Sequence, residues 1–314
     1  MSQDSEKLNA LAHALESVVG ADAIRRDEPM SAHTTFEVGG PADLFVTPAT
    51  EDELVRVVRA CSDTGVEHFL LGLGSDLLVG DKGYHGVMID CAGAFDDILM
   101  VGDPRETCKF VCEAGAAIAD VSAMATALGL TGLEFACGIP GSVGGAVYMN
   151  AGAYDGCTAD VLESVRVLLP NGYVDELGVE ELEMGYRTSR VRTEGFVVLS
   201  ATFSVEPGDA SAIAARVAEL TEARESKQPL ELPSAGSTFK RPEGHFAGKL
   251  ITDAGLKGYQ VGGAAVSTKH AGFVVNVGGA TAADVRAVIA HVQEEVKRQF
   301  DVELEPEVRM VGEF

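Results

Sequence analysis

The chain has 314 residues, of which 46% are apolar, 23% are charged and 36 are glycine. Its formal net charge of −24 excludes a general binder of nucleic acid or of anionic membranes, because both functions need a basic surface. The length is large for a single hydrophobic core and predicts two or three domains.

The first part of the chain predicts helices alternating with short strands. Residues 5–19 carry apolar residues at helical spacing, and their acidic surroundings are unlike a signal peptide. Residues 33–48 predict a strand, a Gly-Gly-Pro turn and a second strand. Thr50 is predicted to cap the next helix, with Glu53 as its capping-box partner. Further predicted elements are strands within 68–81, 86–91 and 110–115 and a helix over 117–130.

A glycine-rich stretch follows, in which residues 135–154 include no charged side chain. A membrane-spanning helix would need about 20 mostly apolar residues with few breakers, and a flexible linker would be polar. The stretch therefore predicts a tight apolar turn whose backbone N–H groups form an anion-binding nest, with close packing between elements as the alternative. Strands near 163–169, 173–177 and 196–204 and a helix over 211–227 are predicted beyond it.

A break with two prolines follows that helix, and a new helix–strand pattern begins after it. We therefore place a domain boundary near residue 229. Between Arg224 and Lys269 the seven basic side chains outnumber the four acidic ones, a local net charge of +3 in a chain of −24. A solvated helix face and a site for an anionic ligand explain this local excess equally well.

The six cysteines form no CxxC pair. Cys108 and Cys112 are four residues apart, but no second pair or nearby histidine completes a zinc site. We expect buried, reduced thiols in a cytosolic protein and no bound metal.

Two motifs match known phosphate-binding loops only in part. Gly72 and Gly74 follow a predicted strand, but Leu77 stands where a dinucleotide-binding fingerprint has its third glycine. A different kind of phosphate turn is the better interpretation. GHFAGKL at 244–250 is one residue shorter than a P-loop, and Leu250 replaces the hydroxyl residue that would hold Mg²⁺, so we reject that motif.

Three other segments place polar side chains where chemistry is possible, and each has a plain structural alternative. Ser237 in AGSTFKRP lies near Lys240 and outside any GxSxG elbow, so it suits a proton donor or an ordinary turn. Arg187 in GYRTSR suits a residue that binds a carboxylate, and the alternative is an ordinary surface arginine. In LEPEVRMVG, strand alternation would place Glu305 and Glu307 on one face, as site residues or as surface carboxylates.

Taken together, these stretches closely resemble one family, the UDP-N-acetylenolpyruvoylglucosamine reductases of peptidoglycan synthesis. The similarity runs from HTTFEVGGPAD through LGLGSDLLV, GLEFACGIPGSVGGAVYMNAGAY, YRTSR and SAGSTFKRPEGHFAGKLI to LEPEVRMVG, which is nearly the whole chain. The compact region 186–242 is similar to the shorter, second type of the family. The resemblance implies an α+β fold, with a two-part FAD-binding region of the vanillyl-alcohol-oxidase type and a C-terminal α/β substrate domain.

The implied domains are two FAD-binding subdomains over 1–90 and 91–228, a substrate domain over 229–300 and a C-terminal strand over 301–314 that carries a catalytic glutamate. The implied enzyme uses NADPH and non-covalent FAD to reduce the enolpyruvyl ether of a UDP-sugar in the cytoplasm. The resemblance implies no nucleic-acid or membrane partner. The oligomeric state stays open, and a monomer is compatible with the sequence.

The resemblance also assigns catalytic roles. Arg187 would stabilise the enolate-like charge that grows as the vinyl group is reduced. Ser237 would protonate the carbon that carries this charge, with support from a cation such as Lys240. Glu307 would act only as a neutral acid, or by orienting Arg187 or a water molecule. The expected substrate contacts are Tyr186, Lys227 and Lys240.

The expected flavin-phosphate turns are residues 72–77 and 138–145. Their cofactor-binding residues would be Gly72, Gly74, Ser75, Asp76, Leu77, Gly138, Ile139, Gly141, Ser142, Gly144 and Gly145. Asp76 stands where the family usually has Asn, and a pyrophosphate would repel its carboxylate, so we expect Asp76 to face away or to bond a hydroxyl or a backbone N–H. Arg241 stands where the longer type of the family has Asn.

Two rival functions match parts of the sequence. An oxidase of the same flavin fold often tethers its cofactor through His or Cys, and His33 is the histidine near an N-terminal glycine motif. A nucleotide-sugar sensor without turnover would lack bound flavin. The motifs match the reductase pattern better than either rival.

Overall fold

The computed structural model describes residues 3–314, which form an α+β protein. The α-helices of this range are α1 (Gln3–Val19), α2 (Glu51–Thr64), α3 (Ile118–Ala127), α4 (Val143–Met149), α5 (Arg190–Glu194), α6 (Ala210–Lys227), α7 (Ala247–Asp253) and α8 (Ala282–Phe300). The strands are β1 (Ile24–Pro29), β2 (Pro41–Val46), β3 (His68–Leu71), β4 (Leu77–Val79), β5 (Tyr84–Asp90), β6 (Ile98–Gly102), β7 (Cys108–Glu113), β8 (Leu130–Thr131), β9 (Gly152–Ala153), β10 (Gly156–Cys157), β11 (Leu162–Leu168), β12 (Val174–Gly178), β13 (Val197–Pro207), β14 (Gln260–Val261), β15 (Ala264–Val266), β16 (Val274–Asn276) and β17 (Arg309–Val311).

The described chain forms two compact units. The first unit consists of the described residues up to Arg25, of Phe45–Leu73 and of Val87–Arg224; the second consists of Arg26–Leu44, Gly74–Gly86 and Glu225–Phe314. The chain therefore leaves the first unit for the last time near the end of α6, close to the predicted boundary. The finer division into four parts stays a prediction.

The first unit is built on a six-stranded sheet with the order β12-β11-β13-β7-β6, and β8 pairs with β13 outside this path. The central strand β13 is antiparallel to both β7 and β11. Along β13, buried residues alternate with half-buried ones. Phe203 of β13 pairs in register with Phe110 of β7, and both rings are fully buried. Helix α4 packs on β13 and β7, which places the predicted glycine motif on this sheet.

Helix α2 has the predicted start. The Thr50 hydroxyl accepts from the Glu53 amide at 3.2 Å, and the Glu53 carboxylate accepts from the Ala49 amide at 2.7 Å. Such a cap stabilises a helix by about 1 kcal/mol. The helix ends at Gly65, whose left-handed backbone (φ 65°) suits a residue without a side chain. The predicted Thr50 cap is therefore confirmed, whereas the capping box is incomplete, because the Glu53 carboxylate bonds the Ala49 amide and not the Thr50 amide.

The first of the two strands predicted over 33–48 is wrong. Only the second forms, as β2, whereas the preceding residues make a turn in which the Glu37 amide donates to the Thr34 carbonyl at 2.9 Å. The Thr34 hydroxyl donates to the Val38 carbonyl at 2.8 Å, so this β-forming residue closes a turn by a local bond. Glu37 has a positive φ of 54°, which a strand does not allow.

The other predicted elements of the first unit agree with the structure to within a few residues. Strands β5, β7, β11, β12 and β13 and helices α3 and α6 overlap the predicted segments. Strand β6 was missed, because it lies at the edge of its sheet and Leu99 and Val101 are exposed there. A strand that is exposed at the edge of a sheet lacks the alternation of apolar and polar residues from which a half-buried strand is predicted.

The second unit contains the antiparallel sheet β14-β15-β16 together with α7 and α8. The apolar face of α8 belongs to its core, with Val285, Val288, Val292 and Val296 fully buried. Helix α8 begins with a capping box, and the Asp81 carboxylate accepts from the first two amides of the helix at 2.7 and 2.9 Å. Strand β17 pairs in parallel with β4.

The cysteine prediction is supported by burial. Five of the six thiols are free and buried, and Cys157 is half-buried. Burial raises the pKa of Cys61, Cys91 and Cys112 to about 12 each, with the Asp90 charge adding to the effect at Cys91. These thiols are therefore protonated and unreactive at neutral pH.

Within residues 3–314, no group of three or more His, Cys, Asp and Glu side chains could hold a metal ion. No helix of that range is long and apolar enough to cross a membrane.

Candidate functional site

The glycine motif of the first unit forms a turn that opens α4. The Ser142 hydroxyl accepts from the Gly145 amide at 3.2 Å and caps the helix. The amides of Val143 and Gly144 donate to carbonyls of the 114–116 turn at 2.7 and 2.8 Å. These three amides already have protein acceptors, so the part of the predicted anion nest that needs them is wrong. A Cβ at Gly144 would lie 3.1 Å from residue 114, so this glycine serves close packing.

The structure brings the two predicted flavin turns together within the first unit. A Cβ at Gly72 would overlap the Ser142 hydroxyl, so Gly72 is needed for this approach. Gly138 is exposed and has a positive φ of 70°. Gly145 is also exposed, and a Cβ there would meet only the Ser142 hydroxyl, at 3.4 Å. Ser142 itself is buried, so the surface near it that a flavin pyrophosphate could reach is the exposed backbone of Gly138 and Gly145.

The remainder of the first predicted turn belongs to the second unit. Gly74 has a positive φ of 63°, and a Cβ there would overlap the His33 carbonyl. Ser75 and Asp76 are half-buried, and the Asp76 carbonyl accepts from the Arg309 amide at 3.0 Å where β17 starts beside β4. Leu77 is the first residue of β4 and is buried. The backbone of this turn is therefore fixed by its neighbours.

Thr35 is a residue that the sequence interpretation missed. Its amide donates to the Gly74 carbonyl at 3.1 Å, and its hydroxyl donates to the Ser234 carbonyl at 2.6 Å. Thr35 therefore links the predicted flavin turn to the segment that leads to Ser237. The sequence signal for Thr35 is its place in the HTTF motif. Nearby, the His33 Nε2 and the Glu28 carboxylate share a hydrogen bond of 2.8 Å.

Arg187 lies at the corner of a tight turn in the first unit. The Gly185 amide donates to the Thr188 carbonyl at 3.0 Å, and Arg187 has a positive φ of 54°. The Arg192 guanidinium donates to the Arg187 carbonyl at 2.7 Å. A side chain that is held in a left-handed backbone carries strain, which neighbouring contacts must offset.

The Arg187 turn is attached to the end of α4. Asn150, the left-handed C-cap of α4, donates from its side-chain amide to the Gly185 carbonyl at 3.1 Å. The Ser189 hydroxyl donates to the Tyr148 carbonyl at 2.9 Å. The structure therefore places the predicted catalytic arginine at one end of the helix whose other end is the glycine motif. Sequence reasoning missed Asn150, although an asparagine directly after a short helix is a typical C-cap signal.

Tyr186, predicted to contact substrate, is 59% exposed. The Arg187 guanidinium lies 5.2 Å from the centre of its ring, within the range of a cation–π contact. An exposed ring beside a cation can pack on a flat or anionic ligand. A substrate contact by Tyr186 stays a prediction.

Ser237 and Glu307 are brought together in the second unit by backbone pairing. Phe239 and Pro306 form an antiparallel bridge, and the Glu307 amide donates to the Thr238 carbonyl at 2.8 Å. Ser237, which is exposed, is the residue before Thr238, and Glu307 is half-buried. Two predicted catalytic residues that are far apart in sequence therefore lie on neighbouring segments.

Lys240 lies on the same pair of segments. Its amide donates to the Glu305 carbonyl at 2.9 Å, and its ammonium forms an ion pair with the Glu305 carboxylate. Glu305, the other residue of the predicted glutamate pair, is thus the partner of Lys240. Lys227 is exposed at the end of α6, and contact of either lysine with substrate stays a prediction.

Several basic side chains between residues 224 and 269 have ion-pair or aromatic partners within the second unit. Lys249 is ion-paired with Asp253 at 2.6 Å, and Lys269 lies 3.7 Å from the Glu231 carboxylate. The Arg241 guanidinium lies 4.0 Å from the centre of the exposed Phe246 ring. Because Asp253 and Glu231 are already counted among the four acidic side chains, these two pairs leave the local excess of +3 unchanged, and the pairing of Lys240 with Glu305 lowers it.

Two family models match the chain. One is described as an FAD binding domain and matches residues 42–178, and the other, the C-terminal domain of UDP-N-acetylenolpyruvoylglucosamine reductase, matches residues 228–311. The reductase of that name from Clostridium perfringens (strain SM101) is 54% identical over 286 residues, which cover 91% of this chain and 92% of the relative. The chain belongs to the UDP-N-acetylenolpyruvoylglucosamine reductase family.

Other members of the reductase family cover the chain almost completely. The reductase from Clostridium kluyveri is 46% identical over 307 residues, which are 98% of this chain and 99% of the relative. The crystal structure of the reductase from Thermus caldophilus superposes with a TM-score of 0.76 at 37% identity, over 90% of this chain and 97% of that one. The predicted family and the α+β fold, with its FAD-binding region and C-terminal reductase domain, are confirmed.

Proposed function

We propose that this protein reduces the enolpyruvyl group of UDP-N-acetylenolpyruvoylglucosamine with NADPH, through FAD, to give UDP-N-acetylmuramate for peptidoglycan synthesis. The observation that carries the proposal is the pairing of the Ser237 segment with the Glu307 segment in a chain of this reductase family. Bound FAD supplies hydride transfer between NADPH and the vinyl carbon. Because NADPH and sugar nucleotides are cytoplasmic metabolites, we place the enzyme in the cytoplasm.

The turns at 72–77 and 138–145 are proposed to hold FAD. Gly72 and Gly145 leave backbone that is half-buried and exposed, respectively, whereas Gly74 packs against the His33 carbonyl and Ser142 is buried as the cap of α4. Since the first amides of α4 already donate to protein carbonyls, the cofactor phosphates would depend on the remaining amides and on hydroxyl groups. The turns are fixed by backbone contacts, so little ordering is required when the cofactor binds.

Arg187 is proposed to stabilise the negative charge that spreads into the substrate carboxylate as the vinyl group accepts a hydride. A guanidinium is permanently charged and can bind both carboxylate oxygens. Its turn is fixed by Asn150 and Arg192, so the charge is positioned before the reaction starts. Electrostatic stabilisation of this kind requires donors that do not reorganise during the reaction.

Ser237 is proposed to donate its hydroxyl proton to the carbon next to the ether oxygen. Glu307, on the neighbouring segment, acts as a neutral hydrogen-bond donor or orients a nearby group, because a carboxylate would repel an enolate. A serine hydroxyl is a weak acid, so its position relative to the carbon matters more than its acidity.

Anaerobic stopped-flow spectroscopy tests the proposal. NADPH should bleach the flavin absorbance of the purified protein, and UDP-N-acetylenolpyruvoylglucosamine should then restore it without oxygen. Absorbance that returns only when oxygen is admitted would contradict the proposed substrate and favour an oxidase. Release of the yellow colour on denaturation checks that FAD is not covalently attached.

A further inference from the structure

Thr238 lies between the two proposed catalytic residues of the second unit, yet its own side chain is completely buried. Its exposed fraction is 0%, whereas Ser237 before it is exposed. A hydroxyl that is removed from water is costly unless it is hydrogen-bonded. The contacts of this residue therefore indicate why a threonine is present.

All three polar groups of Thr238 are used. Its amide donates to the Gly272 carbonyl at 2.8 Å, and its hydroxyl accepts from the Val274 amide at 2.9 Å. On the other side its carbonyl accepts from the Glu307 amide at 2.8 Å. One residue thus joins the 272–274 segment, which leads into β16, to the segment that carries the glutamate.

The hydroxyl contact is the part of this arrangement that the side chain alone supplies. The two backbone bonds do not need the threonine side chain, but the bond from the Val274 amide needs an acceptor atom where the Thr238 hydroxyl lies. The bonds of Phe239 with Pro306 and of Lys240 with Glu305 continue the pairing after Thr238, and on the other side Ser234 forms a bridge with Val275. Thr238 is the residue directly next to Ser237 that bonds to both neighbouring segments.

We propose that Thr238 is a positioning residue that fixes the Ser237 hydroxyl and the Glu307 carboxyl relative to each other through its buried bond to the Val274 amide. The inference rests on the proposed function. It predicts that the protonation step depends on a residue that touches neither substrate nor cofactor. A misplacement of about 1 Å at a reacting group can cost up to about 10²-fold in rate.

Thr238→Val keeps the shape of the side chain and removes the acceptor, whereas Thr238→Ser keeps the acceptor. With Thr238→Val we expect restoration of flavin absorbance by the enolpyruvyl substrate to slow about tenfold, which corresponds to the loss of one buried hydrogen bond of ordinary strength. Reduction by NADPH should keep its wild-type rate. Thr238→Ser should restore the second rate to within about twofold of wild type, because a serine hydroxyl has the same reach.

Two readouts separate positioning from a general loss of stability. If proton donation becomes limiting, the solvent deuterium isotope effect on the second half-reaction should rise in Thr238→Val. Amide hydrogen exchange at Val274 should also accelerate in that variant and be restored in Thr238→Ser, because its acceptor is lost and regained.

Ser122→Ala is a matched control, since Ser122 in α3 is also buried and its hydroxyl donates to the Leu133 carbonyl at 2.8 Å. It should lower the melting temperature and change neither half-reaction.

The inference is overturned if Thr238→Val slows both half-reactions equally, or if its second half-reaction and isotope effect equal those of wild type. A serine variant as slow as the valine variant would also overturn it. Failure of the proposed function looks different, because wild-type protein itself would then not respond to the enolpyruvyl substrate.

Discussion

The arginine region and the serine–glutamate region hold their side chains in different ways. In the first unit, Arg187 lies on a left-handed turn that is closed by backbone bonds between Gly185 and Thr188 and is attached to its surroundings by side chains, above all Asn150 and Arg192. In the second unit, Ser237 and Glu307 lie on segments that pair through their backbones. The comparison indicates which substitutions each region tolerates.

A turn held by side chains depends on a few residues, each of which a single substitution can remove. Backbone pairing survives most substitutions, because the amide and carbonyl groups stay. The arginine region should therefore be sensitive to changes in supporting residues. The serine–glutamate region should be sensitive mainly at the reacting side chains themselves and at Thr238.

The largest effect is expected at the reacting group of the backbone-paired region. Ser237→Ala should slow restoration of flavin absorbance by the enolpyruvyl substrate roughly 10²–10⁴-fold, the usual contribution of a positioned proton donor. Reduction by NADPH should be unchanged in stopped-flow traces. If both half-reactions slow equally, Ser237 is not the proton donor.

Arg187→Ala should also act on the second half-reaction, by roughly 10²–10³-fold, because it removes one electrostatic stabiliser of the developing charge. Arg187→Lys keeps a charge without the planar fork and should recover only part of the rate. Wild-type reactivity of the alanine variant toward the enolpyruvyl substrate would remove its proposed role.

The support of the arginine turn can be tested at Asn150. Asn150→Gly permits the same left-handed backbone (φ 44°) but removes the bonds to Gly185 and to the Ala159 amide. We expect the second half-reaction to slow about tenfold, the equivalent of about 1.4 kcal/mol. Asn150→Asp keeps an acceptor for Ala159 and loses the donor to Gly185, so it should be equally slow.

A fast aspartate variant together with a slow glycine variant would show that Ala159, and not the arginine turn, is the important partner of Asn150. Equal rates for wild type and both variants would contradict the contrast between the two regions. Melting temperatures, measured alongside, show how much of any loss comes from instability.

The smallest effect is expected at the ion pair beside Ser237. Lys240→Met and Glu305→Gln each remove the pair, which is largely open to solvent on the glutamate side, so stability should fall by about 1 kcal/mol or less. If Lys240 also supports proton donation or binds substrate, only Lys240→Met will slow the second half-reaction or raise the KM. Identical kinetics for the two variants would leave Lys240 with a structural role alone.

Much of the fold could be predicted, and the errors have physical causes. Helix α2 was predicted with its Thr50 cap, because an N-cap is a local bond between a side chain and a backbone amide. The segment before β2 was predicted as a strand because it is rich in β-forming residues, but Thr34 bonds its own turn. The anion nest at the start of α4 was overestimated, since a glycine pattern does not reveal that distant carbonyls accept the same amides.

The sequence by itself determined the elements whose signals are local, the glycine motifs and the family. Only the tertiary structure decided that the segment after Ser237 pairs with the one before Arg309, that Asn150 holds the Arg187 turn, and that Thr238 is bonded on both sides. Helix and strand periodicity arises from contacts within a few residues. A hydrogen bond between segments that are tens of residues apart leaves no such period in the sequence, so it becomes visible only when the chain is folded.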